Sequence, residues 1–151
     1  MASTLTTQIS ESLFLNGREE GSIKTASYSD ISSVFRRTLT IAADTDPHTI
    51  VSFTATPDEG TMTQLDADNV IYMRITNLST LSVGVVLNGA TTAVAFKLES
   101  NQSKIFNNGL LQGHSTAGSI DAVPTIKIAS IEIINSTTAL TAEIELFIGL
   151  S

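Results

Sequence analysis

Apolar residues recur at every second position in several separate stretches of the chain. Ile71, Met73 and Ile75 alternate with Tyr72, Arg74 and Thr76 and stop at Asn77. Val83, Val85 and Leu87 repeat the pattern, as do Val94, Phe96 and Leu98, and again Ala142, Ile144, Leu146 and Ile148. A strand sends successive side chains to opposite faces, so this period predicts half-buried strands with the named residues turned inward. No stretch of helical period competes with it. The alternation places strands near residues 5–15, 34–43, 48–55, 69–77, 82–89, 92–99, 103–107, 125–134 and 141–150. Eight or nine short strands spaced in this way predict an all-β fold, an antiparallel β-sandwich of jelly-roll type. The expected organisation is one domain over residues 1–151, with a short N-terminal arm at 1–7 and a long loop at 107–124.

Turn chemistry supports the division. Asn88-Gly89, between Leu87 and Val94, is a hairpin dipeptide with a low-cost positive φ, so the strands on either side should pair antiparallel. Pro47 and Pro57 flank the run Ile50 to Ala55, where a missing N–H does not break a central ladder. In the series Ile126, Ile128, Ile131, Ile133 the inward parity changes, which predicts a bulge near Ala129-Ser130. Two stretches lack strand periodicity and read as surface loops: Asn16 to Ser29, and Asn107 to Pro124 with Gly109, Gly113 and Gly118. The second is long for a structureless connection, which favours contact with a partner.

Several strands are apolar on both faces, as in Leu13-Phe14-Leu15, Val85-Val86-Leu87, Ile133-Ile134 and Leu146-Phe147-Ile148. One apolar face suffices in a two-layer sandwich. Either loops cover the second face, or Phe14, Val86, Ile134 and Phe147 lie under a neighbouring subunit. Arg36-Arg37 must straddle its strand, one side chain solvated and one partly covered. The pair reads as surface salt bridges or as anchors for an acidic partner patch.

Composition narrows the function. Ser and Thr supply 39 of 151 residues and Ile another 16, a mixture suited to pleated surfaces. A chain of this length should bury on the order of 70% of its extended surface in one domain without staples. With no cysteine there are no disulfides, thiolate nucleophiles or Cys-bound zinc. Fifteen acidic against eight basic residues give a net charge of −7, which argues against binding nucleic acid or an anionic membrane. The mean hydropathy is +0.21, yet no apolar run reaches the roughly 20 residues of a membrane helix. The N-terminus lacks the charged and apolar regions of a signal peptide, so Asn77-Leu-Ser, Asn101-Gln-Ser and Asn135-Ser-Thr read as turns rather than glycosylation sites.

Candidate chemistry is sparse. His48 and His114 lie in turn-like sequence, and no nucleophile elbow accompanies them. Asp44-Thr-Asp46-Pro-His48 and Asp66-Ala-Asp68-Asn69 cluster possible ligands, but the second departs from a calcium loop at Ile71 and Asn77, and both read as turn caps. Glu143 and Glu145 share one face of the last strand and read as solvated charges, with no apolar pocket evident to raise a pKa. Gly109, Gly113 and Gly118 fit no phosphate-binding spacing. No catalytic residue, cofactor or metal is expected.

The order of segments carries a resemblance. Ile9-Ser-Glu-Ser-Leu-Phe-Leu-Asn16-Gly17, Ile31-Ser-Ser-Val-Phe-Arg36-Arg37, Ile50-Val-Ser-Phe53 and Ile71-Tyr-Met-Arg74-Ile75-Thr76-Asn77-Leu78 together resemble small virion structural proteins of tailed bacteriophages of marine bacteria and cyanobacteria. The similarity covers roughly residues 4–106 and the final strand. In that family a Pro-Gly turn commonly follows the strand equivalent to Phe96-Lys-Leu98, where this chain has Glu99-Ser-Asn-Gln. The resemblance implies a non-enzymatic β-sandwich in the virion, assembled in the host cytoplasm. The role it implies is a capsid decoration or cement protein that docks on the phage major capsid protein as a homo-oligomer, a trimer by preference. The alternatives are a tail, baseplate or fibre component and, from another class, a carbohydrate-binding module, with a hydrolase last. Candidate interface residues are Phe14, Arg36, Arg37, Val86, Gly109, Gly113, Gly118 and Phe147.

Overall fold

The computed structural model describes residues 3–58, 61, 63–89, 93–107 and 128–151. Among them the fold is all-β. In chain order the strands are β1 (Ser3–Glu11), β2 (Phe14–Leu15), β3 (Arg18–Glu19), β4 (Ser22–Ile31), β5 (Ser33–Ile41), β6 (Pro47–Phe53) and β7 (Gln64–Leu65). A 3-10 turn at Ala67–Asn69 precedes β8 (Val70–Asn77), β9 (Val83–Gly89), β10 (Ala93–Leu98), β11 (Ser103–Asn107), β12 (Ile128–Asn135) and β13 (Ala142–Leu150). The count exceeds the expected eight or nine because β2, β3 and β7 are two-residue pieces and β4 was not foreseen.

Two sheets form a sandwich-like body. One has the order β11-β8-β13-β5, the other β10-β9-β12-β6-β7. All pairs are antiparallel except β6 with β7. The inward residues of both sheets make one core, with Met73, Ile75, Ile144, Leu146 and Ile148 of the first packed with Val51, Val83, Val85, Ile131 and Ile133 of the second. These side chains are fully enclosed, and burying each contributes about 1.5–3 kcal/mol. Ile71 departs from the alternation. The register slips between Gly149 and Leu150 opposite β8, so Val70, Met73 and Ile75 fill the core and Ile71 stays half-buried. The bulge expected in β12 is present, since its pairing with β9 shifts between Ile128 and Ser130.

Besides β7 to β8, four connections through described residues pass from one sheet to the other: β5 to β6, β8 to β9, β10 to β11 and β12 to β13. Two buried asparagines tie them in pairs. Asn77 Nδ2 donates to the carbonyls of Leu81 (2.6 Å), Leu98 (3.2 Å) and Glu99 (3.1 Å), and its Oδ1 accepts from the Ser79 amide at 3.1 Å. Asn135 Nδ2 donates to Ala42 (2.9 Å) and Leu140 (2.7 Å), and its Oδ1 accepts from the Thr137 amide at 3.4 Å. Each side chain therefore closes an Asx turn and clips a second connector to it. With exposures of 0% and 1%, these two sequon asparagines are structural, and Asn101 sits in a turn with φ of 58°.

The stretch Asn16 to Ser29 is not a loop. Its first residues turn a hairpin and the rest form β4, which pairs with β1 from Leu5↔Tyr28 to Glu11↔Ser22. Periodicity missed this strand because most of it faces water on both sides, so no apolar alternation is needed. Residues 3–7, expected as an arm, belong to β1.

Candidate interface at the hairpin ribbon and the arginine–glutamate face

β1 and β4 continue through β2 and β3 as one two-stranded ribbon. At its base Tyr28 packs on Tyr72 of the four-stranded sheet, ring centroids 5.1 Å apart. Beyond the base every residue from Gln8 to Gly21 is exposed. At about 3.3 Å per residue, the nine steps from Thr7 to the turn at Asn16 extend at most about 30 Å. The turn is built by Asn16 (φ 51°) and Gly17 (φ 79°), two successive left-handed residues of the kind that match strand twist. Gly21 is needed for a different reason: a Cβ there would stand 2.3 Å from the Glu11 carbonyl oxygen, where the ribbon's two ladders meet.

The tip is apolar. Phe14 is 76% exposed and Leu13 and Leu15 are each 54% exposed, with Ile9 and Ile23 exposed further down. Phe14 pairs with Glu19 and Leu15 with Arg18, so polar residues lie beside the apolar ones. The adjacent Leu13-Phe14-Leu15 run gave the sequence signal. That its surroundings would also be solvent was visible only from the ribbon.

The second region is the outer face of the four-stranded sheet beneath the ribbon's base. Register places Phe147 between Arg36 on β5 and Arg74 on β8. Glu145, two residues earlier on the same face, takes both guanidinium groups. Arg36 donates to its Oε2 from Nε (3.2 Å) and Nη2 (2.7 Å), and Arg74 Nη2 donates to Oε1. Glu145 is only 8% exposed, which corrects its reading as a solvated charge, while Glu143 does face water. The hydrogen bond from Arg36 holds the Glu145 carboxyl below its ordinary value, with Arg74 reinforcing it against the cost of burial. Arg74 also lies over the Phe147 ring, 5.7 Å from its centroid, and Tyr72 meets that ring edge-on at 5.9 Å. Burial raises the Tyr72 phenol above its usual range.

A groove of about 400 Å³ runs along this face, bounded by Leu5 to Gln8 of the ribbon and by Arg36, Tyr72, Arg74, Ile105 and Phe147. Two guanidinium groups share one carboxylate, leaving a local charge of +1 in a chain of −7. Arg74 Nε is buried there without an acceptor. The chemistry on offer is attraction of an acidic group beside apolar surface. Arg74, Glu145 and Tyr72 were not among the residues expected from sequence. Their clue was parity alone, since Arg74 sits opposite the inward set on β8 and Glu145 shares the face of Phe147.

The remaining expected residues scatter. Arg37 points between the sheets, as alternation with Arg36 requires, and is half-buried. Val86 is half-buried on the outer face of the other sheet, paired with Ala95 and Glu132. Gly109, Gly113 and Gly118, with His114, lie outside the described residues. Asp44 accepts from the Asp46 amide (3.1 Å) and meets His48 Nε2 at 2.7 Å, and that histidine bond lowers its carboxyl pKa. Asp66 accepts from the Asp68 amide at 2.9 Å, a turn cap as expected. Among the described residues no three His, Asp or Glu side chains gather as a metal-ligand set. Comparison of the chain with protein-family models, with curated proteins and with solved structures gives no match.

Proposed function

We propose that this chain is a virion structural subunit of tailed-phage type, acting as a capsid decoration or cement protein without catalysis. The observation that carries the reading is the ribbon, whose fourteen residues from Gln8 to Gly21 are all exposed and whose tip presents Leu13, Phe14 and Leu15. An extended two-stranded ribbon in water is marginal by itself, and clustered apolar groups at its end are a liability unless a partner covers them. The strand orders β5-β13-β8-β11 and β6-β12-β9-β10, joined by repeated sheet-to-sheet crossings, also support a jelly roll, an architecture used by capsid and lectin domains alike. Against the carbohydrate alternative stands the burial of Tyr72, whose ring packs against Tyr28 and Phe147 and offers no open face for a sugar to stack on.

On this reading the chain self-associates, as a trimer by preference, and docks on the major capsid protein through the ribbon and the arginine–glutamate face. Copy number per purified particle tests it. Hundreds of copies on the shell agree with decoration, about a dozen would move the protein to the tail or baseplate, and none, with clear hits on a glycan array, would overturn the structural role.

A further inference from the structure

Arg37 sits at the open edge of the sandwich, where β5 is the last strand of its sheet. Its side chain points inward, and so does His48 on β6, whose pairing with Ile133 puts it on the core face of the other sheet. Both line a pocket of about 260 Å³ with Thr40, Thr49 and Thr63 around them and Ile50 among its apolar lining. The space is far larger than the roughly 15 Å³ that one water molecule needs. Among the described residues Arg37 Nη1 is buried with no hydrogen-bond acceptor, and the guanidinium carbon lies 6.0 Å from the centroid of the Phe35 ring. No Asp or Glu among the described residues lines the pocket. The Asp44 carboxylate, four residues before His48, is held by His48 Nε2 and by the Asp46 amide.

A buried guanidinium edge without an acceptor is costly, and its planar fork matches an oxyanion bidentately. We propose that this pocket binds a small oxyanion group, a carboxylate or a phosphate, on the Arg37 guanidinium, with His48 forming the opposite wall. The proposal is independent of the ribbon and of the virion reading.

The test is a titration of the full chain with sodium phosphate and, separately, sodium acetate, at constant ionic strength set with chloride. It is followed by ¹H–¹⁵N shifts of Thr40, His48, Thr49 and the Arg37 Nε–H. Saturable shifts confined to these groups are expected. Arg37→Gln should weaken them about tenfold or more, Arg37→Lys should fall between, and Lys97→Gln at the opposite edge of the five-stranded sheet should leave them unchanged. Saturation by phosphate alone marks a tetrahedral anion as the ligand, and saturation by acetate also marks carboxylates. Should Arg37→Gln unfold, Arg37→Lys decides the matter, because it keeps the charge and loses the fork. No saturable shift with either anion, or shifts equal in wild type and Arg37→Lys, would overturn the proposal.

Discussion

The sandwich-like body and the ribbon are written in the same strand-forming residues, and they are stabilised in opposite ways. In the body Ile131, Ile133, Ile144 and Ile148 have no exposed surface. In the ribbon every residue from Gln8 to Gly21 is exposed, including Ile9, Leu13, Phe14 and Leu15. The body is held by what its side chains exclude from water. The ribbon is held by its ladder and by the Asn16-Gly17 turn, and it carries apolar groups that stay more than half exposed to water. On the proposed reading, stability and assembly are separable in this molecule, and substitutions in the two regions should divide along that line.

The largest effect belongs to the core. Ile133→Ala should lower the unfolding free energy by about 2–5 kcal/mol in urea denaturation, since the enclosed site cannot collapse fully. A loss below about 1 kcal/mol would mean that the two sheets are not packed as described. Next come the corner asparagines. Asn77→Ala removes the donor to three carbonyls and should cost about 2–3 kcal/mol, with Asn135→Ala somewhat less because it joins two.

Glu145→Gln should cost on the order of 2 kcal/mol, held down by the 65% exposure and screening of Arg36. The pH dependence has a definite sign. The folded Glu145 pKa lies below its ordinary 4.5, so its contribution is complete above pH 4.5 and is lost as pH falls below that value through the folded pKa. Glu145→Gln should flatten the acid limb of stability against pH. Phe147→Asp should loosen the packing of Tyr72 and Tyr28 and so free the ribbon's base, visible as loss of the aromatic near-ultraviolet circular dichroism while the core survives.

The smallest effects on folding are expected at the tip. Phe14→Asp should change stability by no more than about 0.5 kcal/mol. Amides of residues 8–21 should exchange far faster than those of β12 and β13, because their opening exposes no buried surface.

What the sequence made legible follows from burial. Val83, Val85 and Leu87, and likewise Ile144, Leu146 and Ile148, pack against a core on one side, and alternation records that directly. The β12 bulge was readable because the same core demanded a parity change between Ile128 and Ile131. β4 was unreadable for the converse reason, since a strand exposed on both faces leaves no periodic trace. Glu145 was misread because a carboxylate between polar neighbours looks solvated until Arg36 and Arg74 are brought to it from strands 109 and 71 residues away. The place of Arg37 Nη1, buried without an acceptor among the described residues, depends on β5 lying at a sheet edge, which strand order decides and local pattern does not.

Sedimentation velocity over a concentration series, run on the wild-type chain and on Phe14→Asp with matched urea denaturation, joins both halves of the comparison. Wild type should associate and Phe14→Asp should remain monomeric, and the two should unfold at the same denaturant midpoint when measured dilute enough for both to be monomeric. A monomeric wild type at every soluble concentration, or a Phe14→Asp variant that associates equally well, would contradict assembly through the ribbon tip.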